Sequence, residues 1–321
     1  MRRGLGFALF TAGCLSIFIS PLLRFYATPR VEKAPFDVYE TTTSSGTGSY
    51  FSVKTLSVVG PTRIQNVSVA KGDPGRSTGT VAVIGFFSRT RDLARGDFDV
   101  GYSVYAFNRT TGYGVACCGA KPVARGLTLK FPFHTDETTY PFWDSTARRP
   151  FPARFARTEA IESLRADVFE SRVPPTRIGS MQVPGGIVGM PGIKAVNATR
   201  YYSATTTLWV EPFTGAILKA SQHSRQWFAD PSGKPLLDLA DIDVTTDPGS
   251  VRSVVDRVGP KLRELRLVSQ WLPIGGPPIG ILALIAALLL LRSVDLDGSS
   301  EAKLVGAPTE AGLSRTGTED G

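Results

Sequence analysis

Histidine and cysteine are nearly missing from this 321-residue chain, with two of the first and three of the second. A zinc site built from several such ligands has little to draw on. His134-Thr135-Asp136-Glu137 bunches three ligating side chains, but no second histidine follows at metal-site spacing, so the stretch reads as a solvated polar turn. His223 falls within a predicted strand and reads as a residue on one of its faces. Three cysteines do not make a disulfide framework. Cys14 lies in an apolar run, where it is a small apolar filler. Cys117 and Cys118 are adjacent, which leaves open a vicinal bridge, a cross-link between subunits or two thiols. Gly-x-Ser-x-Gly and the phosphate-loop Gly-Lys-Ser/Thr pattern are absent as well. The glycine-rich stretch from Pro184 to Gly192 has proline at both ends and reads as an irregular loop. An enzyme would therefore have to gather carboxylates from distant positions, which spacing along a chain cannot reveal. The sequence implies no cofactor, no metal and no nucleic-acid partner.

Charge is also missing, but from two places only. Residues 4–23, directly after Arg2 and Arg3, and residues 272–291, ending at Arg292, hold no charged side chain. Each is about 20 residues long, the length at which a helix crosses roughly 30 Å of hydrocarbon. Trp271 stands at the boundary of the second run, where an indole is favoured at the lipid–water interface. Arg24 and Arg292 mark the other edges. The first run also fits a signal peptide, yet it is longer than a usual signal core, and Pro21-Leu22-Leu23-Arg24 lacks small residues at cleavage spacing. It reads as a retained anchor. The large loop translocates largely regardless of its own charge, so Arg2 and Arg3 place both termini in the cytoplasm. The expected order is a cytoplasmic 1–3, a span over 4–23, an extracytoplasmic β-rich domain over 24–247, an amphipathic helix over 248–271, a second span over 272–291 and a disordered tail over 292–321. The localisation this implies is the plasma membrane, crossed twice.

Between the spans the pattern is that of strands. Segments 50–59, 62–70, 80–87, 98–107 and 127–133 are rich in Val, Phe, Tyr and Thr and are bounded by Gly, Pro and Asp. Segments 200–210 and 216–228 flank Glu211-Pro212-Phe213-Thr214-Gly215, a hairpin signal with glycine at the turn. A second strand pair is expected over 153–158 and 167–173. From Pro248 the period changes. Val251, Val254, Val255, Val258, Leu262, Leu265 and Val268 follow three- and four-residue spacings, with basic residues between them. Such a helix either lies on anionic headgroups or packs on its own domain with a wet basic face. Pro273, Pro277 and Pro278 are expected to break the chain before the second span. The fold class is thus mainly β, an α+β extracytoplasmic domain held between two transmembrane helices.

Thr139-Tyr140-Pro141-Phe142-Trp143-Asp144 is the most distinctive part of the domain. Tyr140, Phe142 and Trp143 could line a groove for a sugar or an acyl chain, or fill the core beneath a proline-stiffened turn. With Leu22-to-Asp37, Lys130-Phe-Pro-Phe133, Val173-Pro-Pro-Thr176, Arg200-Tyr-Tyr202, Leu208-Trp-Val-Glu-Pro-Phe-Thr-Gly215 and the last apolar helix, this stretch forms an ordered set. The order resembles the actinobacterial membrane proteins grouped as the porin PorA family, also described as a domain of unknown function. The resemblance covers about residues 1–292 and carries over no catalytic residue; Cys117-Cys118 is outside its pattern. It implies a pore. Two uncharged spans cannot enclose a channel alone, so a pore needs a homo-oligomer. The topology favours instead an envelope domain that binds or helps transfer a lipid, glycolipid or glycan, alone or in an envelope-assembly complex. The oligomeric porin is the alternative, and an enzyme lacking any recognisable motif is a further one.

Overall fold

The computed structural model describes the backbone of residues 2–304 and the side chains of residues 4–292. The chain divides into a helical unit, drawn from its two ends up to Arg30 and from Leu265 onward, and a β unit, Val31–Glu264.

In the helical unit, α1 (Arg2–Leu22) runs into a π-helical turn (Leu23–Ala27) and then a single α-turn, α2 (Thr28–Val31). A second π-helical turn (Leu267–Trp271) precedes α4 (Leu272–Leu304). The prolines do not break the chain as expected, because Pro277 and Pro278 lie inside α4. Proline is tolerated in an apolar helix when neighbouring groups take up the freed backbone acceptors. Hydroxyls of α1 reach this stretch: Ser16 Oγ donates to the Gly276 carbonyl at 2.8 Å and Ser20 Oγ to that of Leu272 at 3.5 Å. The backbone stays helical to Leu304, and the rest of the expected tail lies outside the described residues.

The β unit is one antiparallel sheet. Its strands are β1 (Tyr39–Ser52), β2 (Ser57–Gly72), β3 (Val81–Asp92), β4 (Gly96–Asn108), β5 (Thr139–Asp144), β6 (Arg149–Ile161), β7 (Leu164–Val183), β8 (Val196–Glu211), β9 (Ala216–Ala229) and β10 (Pro235–Thr246). Their order is β4-β3-β2-β1-β10-β9-β8-β7-β6-β5. First and last strands therefore pair in the middle, with Ser44 opposite Thr246. An open sheet would leave β4 and β5 as exposed edges. Residues 113–127 cover both through single bridges, Val104 to Lys121 and Phe107 to Gly114 on β4, and Leu127 to Phe142 on β5. Segment 127–133, expected as a strand, makes only such bridges. Its residues sit beneath the sheet instead, with Leu127 and Phe131 fully buried against Phe169 and Leu208.

Helix α3 (Pro248–Arg266) covers the opposite face. Val254 packs on Ala166, Val168, Trp209 and Leu218, which sets its apolar stripe on its own domain. Arg257 pairs with Glu40 at 2.6 Å.

Because every strand runs antiparallel to its neighbours, the loops fall at two ends of the sheet. The chain enters β1 and leaves β10 at the entry end, which also carries turns 162–163 and 212–215. The tip end carries hairpin turns 53–56, 93–95, 145–148, 184–195 and 230–234.

Candidate functional site

A shallow pocket bounded by Ser45, Glu162, Lys219, Thr246 and Asp247 lies on the sheet domain, and no group of side chains that could hold a metal occurs among the described residues. The candidate site is the apolar helical unit, whose two helices are long and apolar enough to cross a membrane. Helices α1 and α4 pack antiparallel through small residues. Gly6, Gly13 and Ser20 recur every seventh position and are buried, as are Pro273, Gly280 and Ala287 on the facing helix. A seven-residue repeat keeps one stripe facing a partner helix. At Gly13 a Cβ would sit 2.8 Å from the Gly280 carbonyl oxygen, and one on Gly280 would sit 2.8 Å from that of Gly13. Close backbone approach through glycine is how apolar helices associate where lipid removes the hydrophobic drive. The outward faces carry Leu5, Phe7, Leu15, Phe18, Ile281, Ile285 and Leu289, all exposed. Trp271 is exposed at the end of the second π-helical turn, and Arg24 lies within the first. Arg292 is exposed on α4, which continues past it.

The sheet cannot itself be the membrane-embedded part. Its outward face carries ion pairs such as His223 to Asp241 at 2.8 Å, Arg225 to Asp238 at 2.8 Å and Arg157 to Glu170 at 3.4 Å. A transmembrane strand presents apolar side chains to lipid on that face.

The aromatic candidates sit on β5. Tyr140 is buried, with Phe131 edge-on at 5.4 Å and Phe169 at 5.7 Å, and its hydroxyl accepts from the Asp136 amide at 2.9 Å. Phe142 is half-buried, stacked 6.2 Å from Phe131. Trp143 is buried on the other side of the strand with Tyr105 and Ala124, and its Nε1 has no hydrogen-bond partner. As placed, the rings of Tyr140 and Trp143 are committed to the protein's own core. Beside them, Asp144 accepts from the Tyr202 hydroxyl at 2.9 Å, and burial raises both the carboxyl and the phenol above their ordinary ranges.

One titratable cluster has a partner that the sequence does not indicate. Glu32 is buried, and His134 Nε2 meets its two carboxylate oxygens at 3.0 and 3.1 Å. His134 has φ +54° and stands edge-on to Phe213. The Thr110 hydroxyl donates to the Glu32 carbonyl at 3.1 Å. Lys130 is buried beside them, donating to the carbonyls of Arg109 and Thr110 at 3.4 and 3.2 Å with its ammonium 4.0 Å from the Phe133 ring. Burial lowers its pKa to about 7. The signal in the sequence was the His134 turn, but its partner is Glu32, 102 residues earlier, not Asp136 or Glu137. The cluster fastens the chain to the entry end of the sheet just before β1. Cys117 and Cys118 form a vicinal disulfide against Val83, Val104 and Ala106. Cys14 is a free thiol in α1.

In sequence, an apolar helix stands at each end of the described chain with a sheet domain between them. The model of the family described as Porin PorA matches residues 5–289. The chain belongs to this family. A curated relative, Porin PorA of Corynebacterium amycolatum, is 26% identical over 129 residues, which is 32% of this chain and 33% of the relative. The chain thus spans about a third of the length of the curated relative it matches. Membership of the Porin PorA family and the two apolar helices make this a membrane protein of the cell envelope.

Proposed function

We propose that this protein forms a pore as a homo-oligomer, with the α1–α4 hairpin as its membrane-embedded part. The observation that carries the proposal is the hairpin itself, a closed pair with small residues turned inward and aliphatic ones outward. Such a pair has no lumen, and the charged outer face of the sheet cannot replace it in lipid. Passage across the membrane therefore requires several hairpins arranged around an axis. The family description and the name of the curated relative support the same reading. Gly6, Gly13 and Ser16, small residues that could have faced a lumen, are turned to α4, which leaves Gly4, Ala8, Thr11 and Ala12 as the small exposed positions of α1 among the described residues. The pore would then be a largely apolar constriction. We further propose that the hairpin sits in the plasma membrane with the termini cytoplasmic and the β unit outside, following Arg2 and Arg3.

The test is native mass spectrometry of the whole protein in mild detergent, followed by conductance in a planar bilayer. A discrete oligomer that gives unitary current steps is the expected result. A monomer without conductance would sink the proposal. A stoichiometric co-purifying lipid or glycolipid without conductance would move the function to ligand carriage and make Tyr140, Phe142 and Trp143 the first positions to substitute.

A further inference from the structure

The tip end of the sheet carries exposed aliphatic side chains on its turns. Hairpin turns normally carry polar residues, since they run through water. Here Val53 is 80% exposed and Leu56 is 59% exposed in the β1–β2 turn. Leu93 is 44% exposed in the β3–β4 turn and Ile193 is 50% exposed in the β7–β8 turn. All four residues lie at the end opposite the chain's two connections to the sheet. No core residue covers them, and single exposed aliphatics scattered at random would not gather on successive hairpins.

The charge around them has one prevailing sign. Each of the five turns holds a basic residue, namely Lys54, Arg95, Arg148, Lys194 and Lys234. Arg95 is answered by Asp92 at 3.1 Å. Asp230, the acidic residue of the β9–β10 turn, is spent on Ser232 and the Lys234 amide. Lys54 and Lys194 have no carboxylate partner among the described residues, and neither does Arg63, exposed on β2 just below the first turn. Protruding aliphatics ringed by unanswered cations are the chemistry of a surface that dips into an anionic lipid layer. The aliphatics enter the acyl boundary while the cations stay with headgroup phosphates.

We propose that the tip turns dock on an anionic lipid surface. A protein partner would need an acidic apolar groove to match them, whereas a lipid surface supplies both features without shape complementarity. The inference is independent of pore formation.

The whole protein is placed in phosphatidylcholine nanodiscs and mixed with separate vesicles of phosphatidylcholine alone or with phosphatidylglycerol. Flotation reads the bound fraction. Expected is co-flotation with the phosphatidylglycerol vesicles only, lowered at least about tenfold by Val53→Asp with Leu56→Asp. Lys54→Glu with Lys194→Glu is expected to abolish the preference for the anionic vesicles, as is high salt. Val123→Asp, at an exposed position among the entry-end loops, is expected to bind as wild type. The two tip variants fail for different reasons, so misfolding of one, read from its melting curve, leaves the other decisive. Binding no greater than that of empty nanodiscs overturns the proposal, as does wild-type binding by both tip variants. Tip-dependent association of nanodiscs without vesicles would overturn it too, assigning the tips to a second copy.

Discussion

Lys130 is a buried cation whose chemistry departs far from its ordinary state. Two carbonyls and the Phe133 ring favour its ammonium, yet burial wins and brings the pKa down from 10.5 to about 7. The unfolded chain keeps this proton up to about pH 10.5, while the folded domain releases it near 7. Between those values the unfolded state binds more protons, so stability rises with pH. Thermal unfolding across pH 6.5–9.5 is expected to show that rise, with a slope of up to about 1.4 kcal/mol per pH unit. Lys130→Met is expected to flatten it. Tyr50, Tyr105 and Tyr202 have phenols raised by burial, and their contribution is lost only above their ordinary value of 10.0, outside this window. A wild-type slope that persists in Lys130→Met would place the proton elsewhere.

Glu211 is a second buried ionisable side chain, held by local hydrogen-bond donors. Its carboxylate is fully buried but accepts from the Phe213 amide at 3.2 Å, the Thr214 amide at 2.8 Å and the Thr214 hydroxyl at 2.6 Å. It thereby closes the turn on which the 130–135 segment rests. Glu211→Ala would strand those donors, and hydrogen bonds to a charged group contribute about 1.5–3 kcal/mol each way of counting. Urea unfolding is expected to report a loss of about 2–4 kcal/mol. A loss below about 0.5 kcal/mol would show that the turn holds without it.

Elements differ in how openly the sequence declares them. The β8–β9 hairpin was readable because Gly215 takes φ +71° at the turn, where a Cβ would collide with the carbonyls of Phe131 and Pro132. The period of α3 was equally plain. By contrast, β1 is Tyr39-Glu-Thr-Thr-Thr-Ser-Ser-Gly-Thr-Gly-Ser-Tyr50 over most of its length, a composition that reads as loop. Tertiary pairing with β2 and β10 makes it a central strand. Its Gly46 and Gly48 are required because a Cβ there would meet the β10 backbone. Segment 50–59 looked like one strand because its apolar pattern runs straight through a turn, Leu56 taking φ +51°. Of the site, the spans were legible from absent charge, but the Glu32–His134 contact was not, since no local spacing encodes a pairing across 102 residues.

The hairpin offers the element-scale test. Gly13→Val would push a branched side chain into the Gly280 carbonyl, 2.8 Å from where its Cβ must go. Separation of α1 from α4 is the expected result, seen as a melting temperature in detergent lowered by several degrees. Ala12→Val, on the exposed side of the same helix, is expected to leave it unchanged.

At the scale of the whole molecule, one chain enters and leaves its sheet at a single end, and its two termini carry the helices that pair with each other. A closed hairpin with an aliphatic exterior is stable in lipid as a monomer, so assembly into a pore cannot rest on hiding polar surface there. It has to come from packing of the outward aliphatic faces or from contacts made by the β unit. The two sources separate experimentally. Phe18 is 76% exposed on α1, and Phe18→Ala removes a large ring from any helix–helix interface between subunits while leaving the inward stripe intact. If the hairpins hold the oligomer, Phe18→Ala is expected to shift native mass spectra toward monomer and to reduce unitary conductance events in proportion. If the β units hold it, the oligomer survives Phe18→Ala, and the current per channel changes instead where the ring faces the constriction. A variant that remains oligomeric and conducts as wild type would show that the α1 face bearing Phe18 borders neither subunit nor lumen. The lumen would then have to be lined from α4, whose exposed residues Ile281, Ile285 and Leu289 become the positions to substitute.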